Sequence, residues 1–136
     1  MAKQSNTVPI IAGITIAAIL YNAYKIKRPP TFFIVQKLPR GHNAMTVPPF
    51  GIWITQDGTR NRALLEHELI HWQQYQQRGL FGFYFDYFRE LRKHGYDNMP
   101  MEVEARIHEP EHVKRDYTNA VREGRAVTVY NPEFRK

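Results

Sequence analysis

The nonapeptide LLEHELIHW, Leu64 to Trp72, carries two histidines four residues apart inside a run with helical periodicity. At 3.6 residues per turn His67 and His71 stack on one face, so both imidazoles can reach a single ion. Glu68 projects from the flank of that face. From there it can take a proton from a metal-activated water without occupying a coordination position. The apolar Leu69 and Ile70 suit a helix buried on its other faces. Without a metal the same residues are a helix with two ordinary histidines, since so short a pattern also arises by chance. The amphipathic context after a strand favours the metal site.

The chain has no Cys, which excludes disulfides, thiol catalysis, iron–sulfur clusters and Cys-based zinc fingers. Any metal must be held by His, Asp and Glu. Catalytic zinc takes three protein ligands and keeps a fourth position open for water. A third ligand is therefore needed from elsewhere. The stretch Asn98 to Ala105 (NMPMEVEA) opens a later helix and offers Glu102 and Glu104. These two point in very different directions on a helix, so only one can face the histidines. The small Ala105 beside Glu104 would let the helices approach closely, which favours Glu104, with Glu102 as the alternative. Otherwise both are ordinary acidic enrichment of a helix start.

A second literal match, His108-Glu109-Pro110-Glu111-His112, is rejected because Pro110 cannot sit in mid-helix. His108 is then a surface residue or a partner of the ligand carboxylate. Metal-assisted hydrolysis also needs a donor for the developing oxyanion. Tyr96 and His94, in the loop before the third helix, are the candidates.

The run HELIHWQQYQQRG, an aromatic helix and then HGYDNMPMEVEA resemble a family of very small zinc metallopeptidase-like proteins common in bacteriophages and bacteria. Those proteins have an H-E-L-x-H-x-x-Q-Q segment followed by G-Y-x-x-N-P-x-E-x-E-A. The family is similar in logic to the gluzincins, whose third ligand is a Glu on a downstream helix. The resemblance covers about residues 50–108. It implies His67 and His71 as Zn2+ ligands, Glu68 as general base, and one of Glu102 and Glu104 as third ligand. Met99, between Asn98 and Pro100, departs from the pattern by one residue.

The N-terminus is a different kind of sequence. Val8 to Tyr24 has no charged side chain and would reach about 25 Å as a helix, at the short end for a bilayer span. Lys25, Lys27 and Arg28 follow, where long basic side chains can reach headgroups, and Tyr21 and Tyr24 sit where an interfacial aromatic belt would lie. A buried core helix or a cleaved signal peptide would be the alternatives. Only Lys3 precedes the apolar run, and no A-x-A-like cleavage site follows it. The expectation is a single retained transmembrane anchor. The basic residues after it place the C-terminal domain on the cytoplasmic side, or inside a membrane-containing virion.

With 19 Lys+Arg against 13 Asp+Glu the formal charge is +6. Such a balance invites nucleic acid or an anionic membrane. Lys3, Lys25, Lys27 and Arg28 supply four of those charges and flank the apolar segment, leaving only +2 for residues 29–136. Nucleic acid is thus an unlikely partner, and the lipid bilayer the expected one.

Between anchor and site, Thr31 to Lys37 and Gly51 to Gln56 read as strands, separated by a loop over residues 38–50. From Thr59 or Arg60 a helix runs to Arg78, with Gly79 as its cap. A second helix spans Leu80 to Lys93, and a third runs from Met99-Pro100 to His108. Glu111 to Glu123 reads as a last helix and Ala126 to Tyr130 as a short strand. The second helix places Phe81, Phe83, Tyr84, Phe85, Tyr87 and Phe88 in eight positions, followed by Arg89, Arg92 and Lys93. Those aromatics serve as core, as an interfacial membrane helix or, least favoured, as a nucleic-acid stacking surface.

The expected fold is α+β and mostly helical. A transmembrane helix in residues 1–28 precedes a minimal zincin-like domain, 29–136, with short strands and three to four helices. The expected function is a membrane-anchored zinc-dependent hydrolase, a metallopeptidase acting on a protein or peptide. The alternatives are a non-catalytic single-pass structural protein, for instance of a phage virion, and a peptidoglycan-cleaving lytic factor.

Overall fold

The computed structural model describes residues 7–107. The expected last helix, the strand at Ala126–Tyr130, and His108 with His112 lie outside the described residues. Within them the architecture is α+β and mostly helical: three helices and one three-stranded sheet.

Helix α1 (Thr7–Lys25) has a mean hydropathy of 1.6 over its best window, and none of that window is buried. It is long and apolar enough to cross a membrane. Its one mid-helix hydroxyl, on Thr15, donates to the Ile11 carbonyl one turn back at 2.8 Å, so it presents no unpaired polar group on the apolar surface. At the C-terminal end Arg28 donates to the Tyr24 carbonyl at 2.9 Å, and its guanidinium lies 3.5 Å from the Tyr24 ring centre. This end meets the body of the described residues. Tyr75 donates to Asn22 at 2.5 Å, and Trp72 Nε1 and Gln76 Nε2 donate to the Arg28 and Ile26 carbonyls at 3.0 Å each.

Strand β1 (Phe32–Val35) pairs parallel with β3 (Gly51–Thr55), and β2 (Ala44–Val47) pairs antiparallel with β3, giving the order β1-β3-β2. Strand β2 falls in the segment expected to be loop. Its four residues are hemmed by Pro39, Gly41, Pro48 and Pro49, whose turn signals mask a strand that exists because β3 pairs with it. Alternation sends Phe32, Ala44, Ile52 and Ile54 inward to meet Leu65 and Leu69. Phe33 and Trp53, register partners, meet edge to face on the outer side.

Helix α2 (Arg62–His94) begins at Asn61, whose side chain accepts from the Leu64 amide at 3.1 Å. It consists of two helical arms meeting at Gly79, whose φ of 76° and ψ of 171° belong to a region open essentially to glycine alone. The expected division of this segment into two helices therefore holds. Arg78 and Asp86 form an ion pair at 3.2 Å across the break, although eight residues of continuous helix would separate them by about 12 Å. The bend thus returns the second arm to the first, where Tyr75 meets Phe83 and a second core forms from Trp72, Tyr75, Phe83, Met99 and Met101.

Helix α3 (Pro100–Ile107) has Pro at its first position, and the Glu90 carboxylate accepts from the Met101 amide at 2.9 Å. Met99 is fully buried, and its carbonyl accepts from the Glu102 and Val103 amides. Met99 therefore anchors the start of α3.

Replacing Gly79 by Ala forces a Cβ into that backbone conformation and should cost about 1–3 kcal/mol. Chemical unfolding of purified wild type and Gly79→Ala checks this. An unchanged midpoint would mean that the bend does not depend on glycine.

Candidate metal centre

His67, Glu68 and His71 lie on the first arm of α2 and are buried, as is Glu102 on α3. His67 Nε2 and His71 Nε2 are 3.0 Å apart. Glu102 Oε2 lies 3.0 Å from His67 Nε2, and Glu102 Oε1 lies 3.1 Å from His71 Nε2. One ligand atom from each of the three residues falls within 4.8 Å of the others, a group able to hold a metal ion.

The expected third ligand, Glu104, is not the carboxylate that meets the histidines. On a helix Glu102 and Ala105 are three residues apart and share a face, whereas Glu104 is turned about 160° from Glu102. Ala105 is indeed fully buried against α2, but it serves the approach of Glu102. Glu104 instead accepts from Gln74 Nε2 at 2.7 Å.

Gln74, which nothing but the Q-Q pair distinguishes in the sequence, is almost completely buried and completes the support of the site. Its Nε2 donates to the Met101 carbonyl at 3.0 Å as well as to Glu104. Both partners only accept, so the amide orientation is fixed and Oε1 faces His71 Nδ1 at 2.8 Å. Nδ1 must then carry a proton. A neutral His71 consequently directs the lone pair of Nε2 toward Glu102 and His67. Glu102 Oε2 is itself buried, with the His67 imidazole nitrogen as its polar contact at 3.0 Å. Lone pairs gathered in this way need a cation among them, either a proton or a metal. The donor set fits a metal ion.

The electrostatics agree. Burial alone would push the Glu102 carboxyl up, but the approach of His67 and His71 outweighs it and holds it down at about 2. Burial likewise pushes His71 down, yet its contact with Glu102, the charges of Glu68 and Glu102, and Gln74 together raise it above 6.5.

Glu68 stands beside the triad. Thr46 of β2 donates to its Oε2 at 2.5 Å, with the Glu68 backbone carbonyl 3.0 Å away as a second acceptor. The Glu68 carboxylate also borders open space. A cavity of about 250 Å³ opens here, lined by His42, Thr46, Glu68, His71, Tyr96 and Glu102 among others. Tyr96 is therefore at the site, its hydroxyl pushed up by burial and by the charges of Glu102 and Glu68. His94 is exposed and does not line the cavity. His42 lies with its ring centre 6.1 Å from that of Tyr96.

No family model, curated protein or solved structure matches this chain. What the centre can do must be taken from its own residues.

Metal titration of the purified chain tests the assignment. Gln74→Leu should weaken Zn2+ binding about 10–100-fold, as loss of a ligand-orienting partner does. Glu102→Gln should cost more, and Glu104→Gln least. A larger loss from Glu104→Gln would return the ligand role to Glu104. Because a metal must displace the proton from His71, affinity should be full at high pH and fall on acidification, with the fall beginning above the ordinary histidine range because the His71 pKa is raised. The slope should be about tenfold per pH unit for that proton, while Glu102 stays ionised throughout.

Proposed function

We propose that this chain is a membrane-anchored zinc-dependent hydrolase with a minimal zincin-like domain, acting as a metallopeptidase. The observation that carries the proposal is Glu68 beside a buried His67–His71–Glu102 triad, with a cavity open to both. Two imidazoles and a carboxylate are a donor set used by zinc peptidases. A structural site would close its fourth position, whereas here the cavity reaches Glu68, His71 and Glu102.

Zinc held by His67, His71 and Glu102 would supply a positive charge that acidifies a nearby water and polarises a substrate carbonyl. The remaining steps belong to side chains. Glu68 accepts the proton of the attacking water and returns it to the departing amine. Thr46, by binding Oε2, fixes the carboxylate so that the other oxygen meets the water. Tyr96 is the candidate donor to the oxyanion. Burial and the neighbouring carboxylates keep its hydroxyl protonated and able to donate. Strand β2 lies at an edge of the sheet and carries Thr46, so an extended peptide paired along it would pass the cavity.

Glu68→Gln separates this reading from a purely structural metal site. In an enzyme the variant should retain zinc and lose about 10²–10⁴-fold in hydrolysis of a peptide library followed by mass spectrometry. A wild type that cleaves nothing Glu68→Gln fails to cleave would support the structural reading. Tyr96→Phe should lower kcat by about 10²–10³-fold with KM little changed, if its hydroxyl binds the oxyanion. A peptidoglycan substrate would require the domain to face the wall, which protease accessibility in oriented vesicles decides.

A further inference from the structure

The aromatic run on the second arm of α2 is divided by the fold. Phe83 is 3% exposed and belongs to the core, whereas Phe81, Phe85 and Phe88 are 87%, 66% and 61% exposed. Together with Tyr84, Arg89, Arg92 and Lys93 they line a broad open groove. Three exposed phenylalanines on one surface are more than a soluble face carries without a partner.

This surface is joined to the foot of α1 by a chain of contacts. Tyr21, near the end of α1, meets the half-exposed Phe50 with ring centres 5.9 Å apart. Phe50 closes the β2–β3 turn, and the Pro48 carbonyl of that turn accepts from the Tyr84 hydroxyl at 2.6 Å. Tyr84 stacks on Phe88, 6.4 Å between centres. Aromatic contacts, bridged by the Pro48 carbonyl, thus connect the membrane-length helix to the exposed arm. Basic side chains accompany both: Lys27 and Arg28 at the foot of α1, and Arg89, Arg92 and Lys93 at the end of the arm.

We propose that the second arm of α2 is an interfacial membrane contact. Phe81, Phe85 and Phe88 enter the headgroup region of the leaflet from which α1 emerges, and Arg92 and Lys93 meet anionic lipid. Phenylalanine faces favour the boundary between headgroups and acyl chains, and basic residues add about 1 kcal/mol each near an anionic surface. The occupant is an anionic bilayer, because the apolar side chains are bordered by cations and are continuous with a helix of membrane length. Tyr84 and Phe88 line both this surface and the cavity at the metal centre, so the bilayer surface would adjoin the cavity wall.

The absence of Cys allows single spin labels to be placed without altering other positions. The full chain is reconstituted in vesicles of phosphatidylcholine with phosphatidylglycerol, labelled in turn at Phe85→Cys, at Asp57→Cys in the exposed turn, and at Ile14→Cys in α1. The label at 85 should lie roughly 5–10 Å below the phosphates and favour oxygen over a water-soluble nickel reagent. That at 57 should favour the nickel reagent, and that at 14 should be deepest. Adding Arg92→Glu and Lys93→Glu should shift the label at 85 toward water, as should vesicles of phosphatidylcholine alone. Equal nickel accessibility at 85 and 57 in anionic vesicles overturns the proposal. So does dipolar broadening between labels at 85 on two copies, which would mean that a second chain covers the face, and so does a label at 14 that remains in water.

Discussion

The position of α3 against α2 rests on one buried carboxamide. Gln74 binds the His71 ring, the Met101 carbonyl and the Glu104 carboxylate at once. A buried amide must have its donors and acceptor paired or lose roughly 1–3 kcal/mol for each group left unsatisfied. Gln74 meets that requirement only if α3 lies where it does. The same contacts orient the His71 ring, and they set α3 in the rotation that sends Glu102, not Glu104, into the gap between the two histidines.

The two cores meet at this junction. The sheet packs through Ile52 and Ile54 on Leu65 and Leu69, before the histidines in the chain or between them. The bend at Gly79 brings Phe83 back to Trp72 and Tyr75, and Met99 and Met101 complete that cluster from α3. His67, Glu68 and His71 therefore lie between two packed regions, with β2 supplying Thr46 from one side and α3 supplying Glu102 from the other. Packed surroundings of this kind hold the carboxylates and imidazoles in place.

Charge along the chain has a matching division. The cations that make the whole protein basic flank α1, and those of the aromatic arm border its exposed phenylalanines. The metal centre, by contrast, is an acidic pocket, with Glu68 and Glu102 buried within reach of His71. The exposed aromatic arm and the candidate metal centre thus occupy separate parts of one small chain, joined at Tyr84 and Phe88, which line both.

Sequence alone determined the features set by local periodicity. The uncharged run of α1, the stacking of His67 with His71, the break at Gly79 and the proline start of α3 each follow from spacing or from one residue's backbone preference. Strand β2 was hidden because its pairing energy comes from β3, a partner outside the local window. The choice between Glu104, which the sequence favours, and its alternative Glu102 is open for a related reason. Two glutamates two residues apart are equivalent until the rotation of α3 is fixed, and long-range contacts through Gln74, Met99 and Met101 turn Glu102 to the histidines. Thr46 and Gln74 are common polar residues with no distinguishing pattern, and their roles come only from what the fold places opposite them. The aromatic arm makes the same point, since periodicity counts its rings but only packing decides that Phe83 is covered and Phe81, Phe85 and Phe88 are not.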